Sequence, residues 1–140
     1  MTRTRDGRTL LAMHLDEPST SDVAIVRRTV RAAAVAGGAR IRLDDLELIV
    51  SELAANAVLH AEGPFDVTLT EQDSGVLVEV VDTRPGRVPP PVERAALEET
   101  GRGLMVVAAL APDWGWDADP VARTKRVWAR LPFVDDPSTP

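Results

Sequence analysis

The chain of 140 residues has no cysteine and only two histidines, His14 and His60. Without cysteine there are no disulfides, no thiol catalysis and no cysteine-ligated zinc. Two histidines argue against an imidazole-based zinc site, but magnesium prefers oxygen ligands and is not affected. Positive charge is also scarce: 16 Lys and Arg stand against 22 Asp and Glu, a formal charge of −6. The arginines are scattered and interrupted by acids, which gives no nucleic-acid footprint. No apolar run approaches membrane-spanning length, and the first residues are polar and charged rather than leader-like. The expectation is a cytoplasmic protein with no membrane and no nucleic-acid partner.

Apolar residues make up 44% of the chain, enough for one core, and the length suits one domain. Polar ends, residues 1–8 and 134–140, are expected to be disordered tails around a domain at 9–133. Thr9–Leu15 suits a short strand, with His14 at its surface or edge. Ser19 or Ser21 can cap a helix over Val23–Ala36, and Gly37 and Gly38 stop it. Its Val23, Val26 and Val30 share one face, while Arg27, Arg28 and Arg31 lie outside.

Asp44–Ala61 (DDLELIVSELAANAVLHA) predicts the central helix. Asp44 can cap it, and Glu47 completes a capping-box pattern. Leu46, Val50, Leu53 and Ala57 form an apolar stripe at helical spacing. Glu52, Asn56 and His60 recur every fourth residue and line the adjoining face. Asn56 weakens a mid-helix position, because its amide competes with the backbone. A polar row beside a core stripe with such a residue at its centre suggests a site, although an ordinary half-exposed face has the same pattern.

Phe65–Thr70 alternates as a half-buried strand, EQDSG turns the chain, and Val76–Val81 predicts a second, central strand that runs into Asp82. DTRPGRVPPP is an irregular loop, Val92–Glu99 a short helical turn, and TGRG precedes an apolar helix over Leu104–Leu110. Asp113–Asp117 and Lys125–Phe133 suit a last hairpin. Trp114 and Trp116 are expected in the core; Val127, Ala129 and Leu131 face one way, Arg126, Trp128 and Arg130 the other. Strand, helix, helix, hairpin, loop, helix and hairpin make an α/β (α+β) two-layer sandwich, with a mixed, mostly antiparallel sheet and helices on one face.

Four features then line up. They are the Glu52/Asn56/His60 row, Asp82 at a strand end, a proline-glycine loop, and Gly101 and Gly103 before a helix. The glycines offer helix-terminal amides to phosphate oxygens. An Asn oxygen can complete a magnesium shell shared with phosphates. A Glu one turn away can accept a proton from a water or hydroxyl. An Asp can accept a hydrogen bond from an exocyclic amine. None of these steps is specific alone.

Together the ExxxN pattern in SELAANAVLHA, Asp82 with Gly86, and GRGL at Gly101–Leu104 resemble the GHKL (Bergerat) ATP-binding fold. SELAANAVLHA and the terminal VWARLPF resemble its actinobacterial anti-sigma-factor serine kinases, from about Thr9 to Phe133. The resemblance implies ATP and Mg2+ as cofactors. Glu52 matches the general base, Asn56 the magnesium ligand and His60 a histidine near the phosphates. Asp82 matches the carboxylate that reads the adenine amine, and Gly86 a glycine of the loop beside the base. Gly101, Arg102 and Gly103 match the second glycine box, with Leu104 packed beneath. The sequence departs from the pattern at Arg84, in place of the first glycine of DTRPG, and at Glu98 and Glu99 in a short lid. It departs again at Arg126, where a threonine is common, with Thr124 two residues earlier.

The function implied is a protein serine/threonine kinase that phosphorylates an anti-anti-sigma protein and sequesters a sigma factor. A homodimer is carried over from related kinases. Arg27, Arg28 and Arg31 are a candidate partner face, and equally an ordinary solvated one. The alternative is a non-catalytic nucleotide-binding or protein-interaction module of the same fold, favoured by the altered first glycine box and disfavoured by Glu52. The lack of a phosphoacceptor or dimerisation helix pair disfavours a detached sensor-kinase domain, and a structural protein with no ligand is the remaining alternative.

Overall fold

The computed structural model describes residues 7–60, 63–83 and 101–136. Its elements are β1 (Arg8–Leu15), α1 (Asp22–Ala36), α2 (Leu43–His60), β2 (Phe65–Glu71), β3 (Gly75–Asp82), α3 (Gly101–Leu110), β4 (Asp113–Asp119) and β5 (Thr124–Pro132). The strands form one sheet in the order β1-β2-β3-β5-β4, so β3 is central, as its apolar sequence predicts. All four pairings are antiparallel, the limiting case of the mostly antiparallel sheet expected. Gly86 and the expected turn over Val92–Glu99 lie outside the described residues.

Period-two alternation decides which side chains go inward. Val67 and Leu69 of β2, Val76, Val78 and Val80 of β3, and Val127, Ala129 and Leu131 of β5 are buried on one face. Against them pack Val26, Val30 and Ala34 of α1, Leu46, Ile49, Val50, Leu53, Ala54 and Ala57 of α2, and Val107 of α3. Each such valine, leucine or isoleucine contributes roughly 1.5–3 kcal/mol by leaving water, and each alanine less. Helix α1 touches β1 and β2, α2 touches β3 and β5, and α3 touches β4, so α2 is the middle helix of the layer.

Helix ends differ from the sequence expectation where longer-range partners compete. Ser21 takes the N-cap position of α1 but makes no side-chain cap bond; instead Asp22 accepts the Ser19 backbone N–H at 2.8 Å. At the other end Gly38, with φ 71°, and the bonds Ala39 N–H to Ala34 (3.0 Å) and Gly38 N–H to Val35 (3.0 Å) close a Schellman motif. Helix α2 starts at Leu43, with the Arg42 carbonyl accepting the Leu46 N–H at 3.1 Å. Asp44 therefore sits within the first turn, where it complements the helix dipole. Glu47 does not complete a capping box: it pairs with Arg31 and, at 3.8 Å, with Arg27. Two arginines of the candidate partner face are thus engaged by α2, Arg31 also reaching Asp44 at 3.4 Å. Helix α3 begins at Gly101 rather than Leu104, so both glycines lie in its first turn. Packing of Val107 and Leu110 offsets their poor propensity of about 1 kcal/mol each.

The outer face of the sheet is polar. Arg126 bonds Glu79 and Asp117 and lies 5.6 Å from the Trp128 ring centroid. Trp128 in turn covers Gly115 on edge strand β4, where a Cβ would come within 2.9 Å of the ring. Trp114 packs against the core, but Trp116 is 40% exposed, contrary to expectation, because β4 is an edge strand.

Gly75, opposite Pro132, has no room for a side chain: a Cβ would lie 2.1 Å from the Leu131 carbonyl oxygen. Gly75→Ala is expected to destabilise the fold by about 1–3 kcal/mol, read as a lower urea midpoint. On the other edge, exposed His14 of β1 bonds Asp66 of β2 at 2.7 Å and reaches Asp16 at 3.6 Å. The hydrogen bond to Asp66 raises the imidazole above its ordinary value of 6.5. A folded-state value above the unfolded one adds stability that is complete below the unfolded value and lost as pH rises through the folded one. His14→Gln should therefore lower Tm more at about pH 5.5 than at about pH 8.5; an equal loss at both would refute the link.

Candidate functional site

Helix α2 presents three sides. Its buried stripe faces β3 and β5. Glu47, bound to Arg27 and Arg31, marks the flank toward α1. At 100° per residue, Glu52 and Asn56 project from the opposite side of the stripe, and α3 is the other helix against which α2 packs. Both residues are half-buried. The acid and the amide are thus one turn apart, on the flank toward the helix that opens with Gly101. His60 is the last residue of α2, and its side chain lies outside the described residues, as do those of Arg102 and Leu104. The backbone of Gly101, Arg102, Gly103 and Leu104 forms the first turn of α3. Its N–H groups have no partner within the helix and suit an anion.

Asp82 ends β3 on the inner face, two residues after Val80, and is 3% exposed. Its cross-strand neighbour is Lys125 of β5, which is 2% exposed. The Lys125 Nζ lies 3.5 Å from Asp82 Oδ2. These are the two buried charged residues among those described. Each buried ion costs several kcal/mol of desolvation, which mutual attraction only partly offsets, so the pair is weak evidence for stability. The pair sets a carboxylate and an ammonium at the end of the inner face, beyond its valines.

Lys125 was not among the residues singled out from the sequence. The signal was present: Lys125 shares the parity of Val127, Ala129 and Leu131, and so points inward with them. Arg126 has the opposite parity and is held on the outer face by Glu79 and Asp117. Thr124 shares that outward parity, so neither it nor Arg126 stands beside Asp82 on the inner face.

Among the described residues no three His, Asp or Glu side chains are grouped to hold a metal ion. Magnesium is commonly held by few protein ligands, and an amide oxygen such as that of Asn56 is a donor of the kind it takes. The donor set fits a magnesium nucleotide: an amide oxygen, a neighbouring carboxylate, helix-terminal amides, and a buried carboxylate for a base.

The middle helix with its acid-amide row, the antiparallel sheet and the inner-face carboxylate define a GHKL-type ATPase sandwich. The chain belongs to the histidine kinase-like ATPase domain family, which matches residues 17–130. ATP is the ligand this membership implies. No curated protein matches the sequence. Among solved structures, the chain is similar to a chain of the SiaB–SiaC complex from Pseudomonas aeruginosa, with 14% identity, TM-score 0.61 and 91% of each chain covered. It is also similar to the structure of the RsbU and RsbW domains of a Mycobacterium tuberculosis protein, at 20% identity and TM-score 0.59. There 91% of this chain is covered but only 35% of the other, so this chain spans about a third of that protein's length. At these identities the likeness is one of fold.

Removing one member of the buried pair takes from the other its cross-strand counter-charge. Asp82→Leu and Lys125→Met are each expected to cost about 3–5 kcal/mol, and the double substitution much less than their sum. Chemical denaturation of the four proteins measures the coupling, and additive losses would show that the two charges do not depend on each other.

Proposed function

We propose that the chain is a magnesium- and ATP-dependent regulatory protein kinase that acts on serine or threonine and doubles as an anti-sigma factor. The observation that carries this reading is the placement of Glu52 and Asn56 one turn apart on α2, toward the glycine-opened helix α3. A pure binding module has no need of the acid. Bound Mg-ATP supplies the phosphoryl group. Glu52 takes the proton of the incoming protein hydroxyl. Asn56 lends its amide oxygen to the metal, and the first-turn amides of α3 receive phosphate oxygens. Asp82 accepts from the exocyclic amine of adenine. His60, Arg102 and Leu104 complete the nucleotide surroundings in this reading, with Gly86 beside the base.

The protein substrate is an anti-anti-sigma partner. A phosphate on it adds nearly two negative charges, weakens its hold and frees the kinase to bind a sigma factor. Support for paired working comes from the fold neighbours, one taken from a SiaB–SiaC complex and the other joined to an RsbU domain. Arg28, exposed on α1 while Arg27 and Arg31 pair with α2, remains available to a partner or to a second copy in a homodimer. A cytoplasmic location suits this role, and no described helix is long and apolar enough to cross a membrane. The second reading is a non-catalytic module, and the observation favouring it is Arg84 in place of the first glycine of the loop after Asp82.

Calorimetric titration with ATP, with and without Mg2+, tests the reading. Asn56→Ala should lose the magnesium-dependent part of the affinity. Glu52→Ala should keep binding and lose about 10²–10⁴ in phosphoryl transfer to an anti-anti-sigma substrate. Full transfer by Glu52→Ala would remove it as the base, and intact binding with no transfer in the wild type would favour the second reading.

A further inference from the structure

A recess on the α1 side of α2 has no role in the scheme above. It is lined by Asp16, Glu17 and Pro18 of the connection from β1 to α1, by Val58 of α2, and by Gly63 and Pro64 ahead of β2, around a volume of about 440 Å³. We propose that this recess is a docking site for a basic side chain, arginine or lysine, presented by a protein partner. It uses no residue of the nucleotide site and stands apart from that reading.

The recess has an apolar floor and an acidic rim. Pro18, Val58, Gly63 and Pro64 are half-buried, whereas Asp16 and Glu17 are exposed. Val58 also packs against the core, and each proline fixes its own backbone φ, so the walls are set before anything binds. Long basic side chains suit such a shape, because their methylene stems cover apolar surface while the charged head stays in polar surroundings. A metal ion has no use for the apolar floor. The volume lies within the ~300–1,000 Å³ of ligand clefts, room for one long side chain and the backbone that carries it.

The charge balance has one sign. His14 reaches Asp16 at 3.6 Å, but it is hydrogen-bonded to Asp66 at 2.7 Å and so serves two carboxylates. The last turn of α2, which contains Val58, adds the partial negative charge of carbonyls that have no partner within the helix. The opposite partial charge at the start of α1 is met by Asp22 in its first turn, which accepts the Ser19 N–H. The whole chain carries a formal charge of −6. An anionic group is repelled here and a cationic one attracted.

Position adds to this. Leu15, Phe65, Asp82 and Lys125 are successive partners in one row across the sheet. Asp16 directly follows that row and Pro64 directly precedes it, so the recess opens at the end of the sandwich that carries Asp82. A partner held there sits beside the candidate site without covering the flank of α2 that bears Glu52 and Asn56.

The test uses the end-blocked tripeptides Gly-Arg-Gly, Gly-Lys-Gly and Gly-norleucine-Gly, titrated without ATP and followed by backbone amide shifts of the isotope-labelled protein. Both basic tripeptides should give saturable shifts at Asp16, Glu17, Val58 and Gly63. Their affinity should exceed that of the norleucine tripeptide by about 3- to 10-fold, the scale of exposed ion pairs at two carboxylates. The double substitution Asp16→Asn with Glu17→Gln, in an exposed connection, should bring all three to the same affinity. Equal affinities in the wild type, or an unchanged preference in the variant, would overturn the role of the acidic rim. No saturable shift at these four amides with either basic tripeptide, a measurement on the wild type alone, would overturn the docking site. A dimer that dissociates on adding Gly-Arg-Gly would give the recess to a second copy and overturn a foreign partner. Since ATP is absent throughout, each of these outcomes leaves the nucleotide reading as it stands.

Discussion

The structure depends on the burial of one helix. Helix α2 places Leu46, Ile49, Val50, Leu53, Ala54 and Ala57 against the sheet and packs a neighbouring helix on each side. Once the stripe is fixed against β3 and β5, every other position on the helix is fixed by its angle from that stripe. Glu47 must face α1, where Arg27 and Arg31 receive it. Glu52 and Asn56 must lie on the other flank. The same hydrophobic contact that stabilises the domain therefore aims the polar row, and a rigid element fixes side chains more accurately than a loop can.

The sheet performs the corresponding task from below. Strands β3 and β5 are adjacent although α3 and β4 lie between them in the chain. That adjacency sets Asp82 against Lys125, 43 residues apart in sequence but directly opposite in register. Their alternation with Val80 and Val127 continues the inner face beyond its apolar part. A sheet that served only as a core could end that face with another valine. Two charges there are costly to desolvate and are held as a cross-strand pair.

Much of this was legible in the sequence, for physical reasons that differ between elements. The stripe of α2 follows from helical period, and the alternation of β5 from strand period; both survive tertiary context because burial enforces them. Ends are less secure. Asp44 and Glu47 form a local capping pattern, but Arg31, on a different helix, competes for both. Trp116 shares its parity with Trp114, yet an edge strand leaves it partly in solvent. For the candidate site, Glu52, Asn56 and Asp82 stood out by type and spacing. Lys125 did not, because lysine in a strand usually means a solvated face; only the parity of β5, followed one residue further, brings it inside.

The pair also bears on how a departure from the family pattern is weighed. Arg126 stands where a threonine is common, a substitution that looks harmful if that position is taken to touch the base. In the folded chain Arg126 is spent on the outer face, between Glu79, Asp117 and Trp128. It braces β3, β4 and β5 from the solvent side, opposite Lys125. Beside Asp82 on the inner face stands Lys125. Whatever Asp82 meets in a ligand, it is tied to fold stability, because its carboxylate is also the counter-charge of a buried ammonium.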